Sequence, residues 1–506
     1  MKLSKKQLIL VGSFLFFYFV IKVALYFLNP TEVGDSYRFL KAGLSLSSFS
    51  YPLNEKRLPL FPWFLSLGVN KFVSNEIKFF DPIWWGRFVA TVFCLGSLLL
   101  TFKISLRLFN NFRIAFFTLL LTALSPIFFY GTSRVLAEGQ FAFFLLLFLY
   151  LYLLKKKYLV LGLVAGLCFL TRYEGALLIF AFGLDALIAK KFRNFGLLVL
   201  GFTLVASPVI VRNILIFANP IKSAYFLEPA GFSYNFKSVL IVVSAFLFCF
   251  GNLLISPLLL ITSIKKLLVE HRPIFFYLIM SIALFFFWIA AMPRLFVYLI
   301  PVFAIFTVPP VLETLSKPWF KSKFYLITLF INTIVFILFR MEYRYHFLVL
   351  GKWFLLVFLV LSVATMLFFI ADKAKLFLGF LALSILVSAV AYTIRFKDVY
   401  RTVYQAVLFS KDLDGKIAYS DETGITSWYL AGHDTLYFDD TDGEESVDFL
   451  RSQSVKYALV TNEFDEYRRL IFLEREDREN DVELVKKFTI NDGGYIRYSK
   501  IFRLKY

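Results

Sequence analysis

Cysteine and histidine are scarce in this chain, with three of each in 506 residues, and each shortage excludes something. Cys94, Cys168 and Cys249 all fall inside apolar runs, where they read as packing residues, so no disulfide framework is expected. His271, His346 and His433 stand singly; without metal-ligand spacing they argue against a structural zinc site. Polar sequence is equally thin. The chain is 59% hydrophobic and 20% aromatic, more apolar than a soluble core requires. Repeated runs near or above the ~20 residues that cross a bilayer mark a polytopic membrane protein. Because the runs are continuous rather than alternating, the spans read as helices and not as a barrel. No internal repeat is visible.

Charge is unevenly signed, with a formal balance of +19. The basic residues come as short clusters between apolar runs, which is the pattern of topology signals and of contact with anionic lipid, not of nucleic-acid binding. Hydropathy at helical length predicts about thirteen spans, near 7–28, 83–106, 113–130, 139–154, 158–171, 175–189, 195–217, 238–264, 274–292, 295–314, 324–340, 353–371 and 376–394. The first, after MKLSKKQ, is too long for a signal-peptide core and lacks a small-residue cleavage site, so it reads as an uncleaved span. Alternate connections carry the clusters, among them Lys155 to Lys157, Lys190 to Arg193 and Lys265 to Arg272. The positive-inside rule puts these in the cytoplasm. An odd span count then places residues 29–82, the first outer loop, and the C-terminal tail on the outer side.

From residue 396 onward the balance reverses, with 16 Lys and Arg against 22 Asp and Glu. The expected organisation is therefore a membrane domain, 1–395, and a soluble extracytoplasmic α/β domain, 396–506. KIAYSD, DTLYFD, VKYALVT, VELVKKFTI and YIRYSKIFRLK read as strands. Helices are expected at TGITSWYLAG, SVDFLRSQ and DEYRRLIFLERE.

Ionisable groups at a membrane boundary are functional-site candidates. On the expected outer side these are Asp35 in VGDSYRFLKA, Lys56 and Arg57 in EKRLPLFPWF, Arg134 and Glu138 in YGTSRVLAEGQ, Arg172 and Glu174 in TRYEG, and Arg294 in MPRLFVYLIP. One carboxylate facing several cations beside a lipid surface suits sugar transfer from a polyprenyl phosphate. The acceptor hydroxyl loses its proton to a base while negative charge grows on the departing phosphate. A phosphodiester leaves as a stable anion, so the second carboxylic acid that a glycosidase usually needs is dispensable. The structural alternatives are ordinary. Asp35 could cap an amphipathic helix, the arginines could snorkel to headgroups, and Glu138 could pair with Arg134 four positions back on one helix face.

These residues also carry a resemblance. GDSYRFLKAGLSL, EKRLPLFPWFLSL, SRVLAEGQFAFF, VAGLCFLTRYEGALL and PRLFVYLIP, in that order, resemble the GT-C superfamily of integral membrane glycosyltransferases. The chain is most similar to the branch of protein O-mannosyltransferases and lipid A aminoarabinose transferases. The resemblance implies a GT-C fold, a polyprenyl-phosphate-linked sugar donor, inversion at the anomeric carbon and Asp35 as general base. Many relatives have two adjacent acids where this chain has Gly34-Asp35-Ser36, which leaves open a share of the work for Glu138. Lys56 matches a family lysine, although Arg57 and Leu58 replace the proline pattern that follows it. Arg294, Tyr298 and Pro301 match an arginine, tyrosine and proline run, implying a donor-phosphate contact. No cofactor is required, although Glu55 and Glu138 could hold a divalent ion. The acceptor could be protein, lipid or glycan. Two other readings remain: a transporter or flippase of lipid-linked sugars, which would be expected to carry polar groups near the midplane, and an oligosaccharide ligase using a diphosphate donor.

Overall fold

A computed structural model describes residues 3–27, 30–51, 57–73, 82–218, 267–287, 293–314, 399–420, 424–438, 447–463, 469–475, 478–492 and 495–506, with isolated positions between 360 and 387. Two compact units emerge, Met1–Leu25 with Ala42–Phe396, and Tyr26–Lys41 with Lys397–Tyr506. The second unit thus recruits a stretch of the first outer loop.

The first unit is helical. Its described helices are α1 (Lys5–Tyr26), the later part of α2 (Gly34–Ser47), α3 (Leu60–Val73), α4 (Pro82–Phe109), α5 (Phe112–Leu124), α6 (Pro126–Gly131), α7 (Glu138–Leu153), α8 (Tyr158–Thr171), α9 (Ala176–Ile188), α10 (Phe192–Phe217), α11 (Arg272–Phe287) and α12 (Ile300–Thr314). Of these, α1, α4 and α10 are long and apolar enough to cross a membrane by length and composition. The expected spans 238–264 and 324–340 lie outside the described residues, as do nearly all of 353–371 and 376–394. Three expected elements are cut differently. The span expected at 113–130 breaks at Ser125, whose ψ of 124° is extended, because a residue before proline is pushed out of the helical region and Pro126 has no N–H to continue the ladder. The spans expected from 175 and from 295 are each preceded or opened by a 3-10 turn, at Tyr173–Gly175 and Pro293–Leu299. Residues 29–82 contain α2 and α3, whereas the sequence predicts only an interfacial helix at α2.

Close helix approach depends on glycine. A Cβ on Gly162 of α8 would lie 2.2 Å from the Leu198 carbonyl oxygen, and one on Gly201 of α10 would lie 2.3 Å from that of Leu159. Gly162 and Gly166, four apart on α8, both face α10, the small-residue spacing that lets helix backbones touch in lipid. At the far end of α9, Asp185 Oδ1 accepts from Arg272 Nε at 2.6 Å, tying α9 to α11. Since the obstructing atoms at Gly162 are backbone, Gly162→Leu should force α8 and α10 apart at a cost of about 1–3 kcal/mol, read as a lower melting temperature of the purified protein.

The second unit carries a five-stranded sheet of order β2-β1-β3-β5-β4, with β1 Lys416–Tyr419, β2 Thr435–Tyr437, β3 Val455–Thr461, β4 Val482–Asp492 and β5 Tyr495–Leu504. β1 pairs in parallel with β2 and β3, and β5 pairs antiparallel with β3 and β4. Parallel neighbours require crossovers, supplied by α14 (Ile425–Tyr429) and α15 (Val447–Ser452). All five expected strands are present. The third expected helix is a 3-10 turn, Arg469–Glu474, and α13 (Arg401–Ser410) had no counterpart in the expectations. Ala418, Leu450, Val455, Val460 and Phe502 lie in the core beneath the sheet.

At the end of β3, Glu463 is buried; its Oε1 accepts from the Thr402 amide at 2.9 Å and from the Thr402 hydroxyl at 2.6 Å. Burial raises its carboxyl above the ordinary value of 4.5, against the opposing pull of Thr402 and Arg497. Above 4.5 the unfolded chain releases this proton while the folded chain retains it, so its contribution to stability is lost as pH rises through the folded value. Glu463→Gln keeps an oxygen for Thr402 and removes the titration. Amide exchange across β3 should therefore depend less on pH above 4.5 in the variant than in the parent.

Candidate functional site

The turn between α8 and α9 holds an ionic cluster of the first unit. Arg172 closes α8 in an extended conformation, φ −152° and ψ 143°, and the chain turns back at once through Tyr173–Gly175. A Cβ on Gly175 would lie 2.3 Å from the Phe169 nitrogen, so only glycine allows the turn to press against α8. This reversal brings Arg172 Nε and Nη2 to Glu174 Oε1, at 3.1 and 2.6 Å, and Nη1 to Glu138 Oε1 at 3.3 Å. The Arg172–Glu174 pair, two positions apart, is made by the turn and not by a helix face. Glu138 opens α7, where a carboxylate suits the helix N-terminus. Its other oxygen, Oε2, is buried with no hydrogen-bond partner among the described residues. Two carboxylates around one guanidinium leave the cluster one negative charge in excess.

The other expected residues are placed as follows. Arg134, 2% exposed, lies in the connection between α6 and α7 with its guanidinium 4.8 Å from the centre of the Tyr130 ring. Tyr298 is fully buried, its ring set edge-on to Phe141 at 4.6 Å. Arg294 lies in the 3-10 turn Pro293–Leu299, its side chain outside the description. The Arg57 carbonyl accepts from Tyr51 Oη at 2.6 Å, and Arg212 lies over the Tyr51 ring at 5.1 Å. Lys56 and Glu55 lie outside the described residues.

A buried cation went unassigned in the sequence. Lys22, near the end of α1, is fully buried; its Nζ donates to the Phe129 carbonyl at 2.5 Å, Thr132 Oγ1 at 2.8 Å and Ser133 Oγ at 2.7 Å. Three donors meet three acceptors, and the Phe129 and Tyr18 rings lie 4.8 and 5.3 Å away. Lys22 thereby pins α1 to the segment that leads into Arg134. The signal was present in the sequence, since a lysine inside an apolar run is costly unless it faces the bundle interior.

Asp35 belongs to the second unit. It is the second residue of α2, half-buried, with the Ser36 amide donating to the Val33 carbonyl at 2.9 Å. The aspartate therefore sits within the first turn and not at the cap position, still where the helix dipole favours an anion. Three residues earlier is a fully buried carboxylate, Glu32, which the sequence reading passed over. Glu32 Oε2 accepts from Ser36 Oγ at 3.1 Å, and the Glu32 amide donates to Tyr37 Oη at 3.1 Å. Among the described residues no group of three His, Cys, Asp or Glu side chains could hold a metal ion.

Arg172 is the cation that Glu138 and Glu174 share in the turn cluster. Arg172→Met would leave the buried Glu138 and the part-buried Glu174 without their shared cation, a loss of about 1–3 kcal/mol, below the full cost of breaking a wholly buried pair. Folded yield and melting temperature should fall accordingly, and adding Glu138→Gln and Glu174→Gln to that variant should restore most of both.

Residues 56–212 match the family model described as dolichyl-phosphate-mannose-protein mannosyltransferase. Among solved structures, the chain is similar to ArnT from Cupriavidus metallidurans bound to undecaprenyl phosphate, with a TM-score of 0.59 and 16% identity over 98% of this chain and 98% of that one. It is similar also to ArnT from the same organism in the apo state, with a TM-score of 0.58 and 15% identity over 97% of this chain and 98% of that one. No curated protein matches. The structural similarity shows that the chain shares the fold of these proteins, and the family match covers residues 56–212 of it.

Proposed function

We propose, from this GT-C fold, that the chain transfers one hexose-like residue, mannose or a relative, from a polyprenyl-phosphate carrier to an acceptor hydroxyl at the outer membrane face. The observation that carries the reading is fold similarity along nearly the whole of both chains to an enzyme whose structure holds undecaprenyl phosphate. The mannosyltransferase match over residues 56–212 supports it independently. The acceptor, whether protein, lipid or glycan, is the open variable.

In this reading Asp35 takes the proton from the acceptor hydroxyl as that oxygen attacks the anomeric carbon from the face opposite the phosphate, which inverts the centre. Placement in the first turn of α2 suits a carboxylate that must stay ionised until it acts. Lys56, Arg57, Arg134 and Arg294 are the cations assigned to the outgoing phosphate, where negative charge develops. Arg172 is assigned a different task from the one its charge alone suggests. With its guanidinium shared between Glu138 and Glu174, it holds Glu138 in place and is poorly free to take a phosphate. Tyr298, packed against α7, shapes the same end of the bundle. The N-terminus is assigned to the cytoplasm and the sheet domain to the outer side, by the alternation of basic clusters. No metal or other cofactor is needed for a phosphate to leave as an anion.

The test is transfer from a radiolabelled prenyl-phosphate sugar by purified protein in lipid. Asp35→Asn should lower kcat by about 100- to 10,000-fold, the range for a general base, with the melting temperature unchanged. Labelled lipid that crosses the bilayer intact, with no transfer in either protein, would favour the flippase and overturn this reading.

A further inference from the structure

The three parallel strands of the second unit run β2-β1-β3, so the chain crosses from one side of β1 to the other between β2 and β3. In open α/β sheets the crevice beyond the carboxyl ends of the strands at such a reversal is where ligands sit. Here that end is furnished in the same way. Gly424, with φ +83°, follows β1; Asn462 and Glu463 follow β3 and are held by Tyr498 and Thr402. What reaches it is the chain's own segment from the first outer loop.

Three contacts fasten that segment. Thr31 Oγ1 donates to the carbonyl of Val399, three residues before the Thr402 that Glu463 anchors. Tyr37, fully buried, lies against the edge of Tyr429 with ring centres 6.0 Å apart, and Tyr429 rests in turn on Tyr404 at 5.1 Å. Lys41 Nζ donates to Ser427 Oγ, in the first turns of α14. A Cβ on Gly424 would come within 3.3 Å of that same Nζ. Thr31 and Lys41 bracket Asp35, four residues before it and six after, and Tyr37 lies between.

We infer that the C-terminal sheet domain is the positioning element for Asp35: through Val399, Ser427 and Tyr429 it holds the first half of α2 where the carboxylate must work. The inference rests on the reading of Asp35 as the base. Its physical content is orientation. A fourteen-residue helix entered from a loop has little to fix its axis without tertiary contacts, and a displacement of about 1 Å at a reacting group costs on the order of 100-fold in rate. A domain with no catalytic cluster of its own among the described residues then has a defined task.

The experiment uses the full-length protein in lipid nanodiscs and measures two things in each variant: amide exchange over residues 34–41 and steady-state transfer kinetics. Tyr429→Ala and Lys41→Met should each speed exchange in 34–41 and lower kcat roughly tenfold to a hundredfold, with the donor KM within about threefold of the parent. Lys41→Arg, which keeps a donor, should recover most of both. Should Tyr429→Ala fail to accumulate, the lysine pair carries the test, because it removes no core side chain. Unchanged exchange in 34–41 would overturn the docking; faster exchange with an unchanged kcat would overturn the positioning role. Asp35→Asn separates the two readings, since a fully active Asp35→Asn would remove the base assignment while leaving the exchange result to decide the docking.

Discussion

A guanidinium largely withdrawn from water has to be matched by carboxylates from its own chain, and Arg172, its side chain 18% exposed, shows what that requires. Its two partners come from different helices: Glu174 from the turn that opens α9 and Glu138 from the start of α7. In a low-dielectric setting an unmatched charge costs several kcal/mol after relaxation, so the three helix ends cannot drift independently. Gly175 makes the arrangement possible by letting the turn lie against the backbone of α8. The same rule explains Lys22, whose three N–H groups are all satisfied by one short segment. A framework tied in this way holds the starts of α7 and α9 and the end of α8 in fixed register.

Packing in the first unit follows from the absence of water in a different manner. Apolar side chains gain little by leaving lipid for one another, so helices meet where backbones can touch. Gly162 and Gly201 place α8 and α10 at such a distance. The second unit packs differently. Its core is buried beneath a sheet whose central strand, β3, is almost wholly covered, and its crossover helices are short. The stretch Tyr26–Lys41 follows a membrane-length helix and belongs to the second unit. It carries the acidic residue of the α2 first turn, Asp35.

Much of this was legible in the residues themselves. Apolar runs predicted α4, α7, α8 and α10 to within a few positions, because lipid imposes length and continuity on any helix it surrounds. Strand-like runs between helical segments located all five strands, and the charge balance reverses at residue 396, next to Lys397, where the second unit's long segment begins. The local breaks were harder to see. Pro126 interrupts a run that hydropathy joins, since a hydropathy window sums side chains and is blind to the missing N–H. Glu138 was weighed against Arg134 on helical spacing, but Arg134 precedes the helix, and the partner is Arg172, 34 positions away. No count of residues predicts a pair made by a glycine turn folding back on its own helix.

What the amino-acid order determined by itself was the solvent of each segment: which stretches must be helical in lipid, which can form a sheet in water, and which carry ionisable groups at the boundary. What only the tertiary structure decided was the partner of each such group. Charge and spacing set what a side chain requires, but a buried ion accepts any geometry that satisfies it, and the choice among them is made by helices and strands far apart in the chain. Asp35 is the clearest instance. Its sequence neighbours place it in a loop beside a membrane span, whereas the fold assigns its helix start to a domain that begins more than 350 residues later.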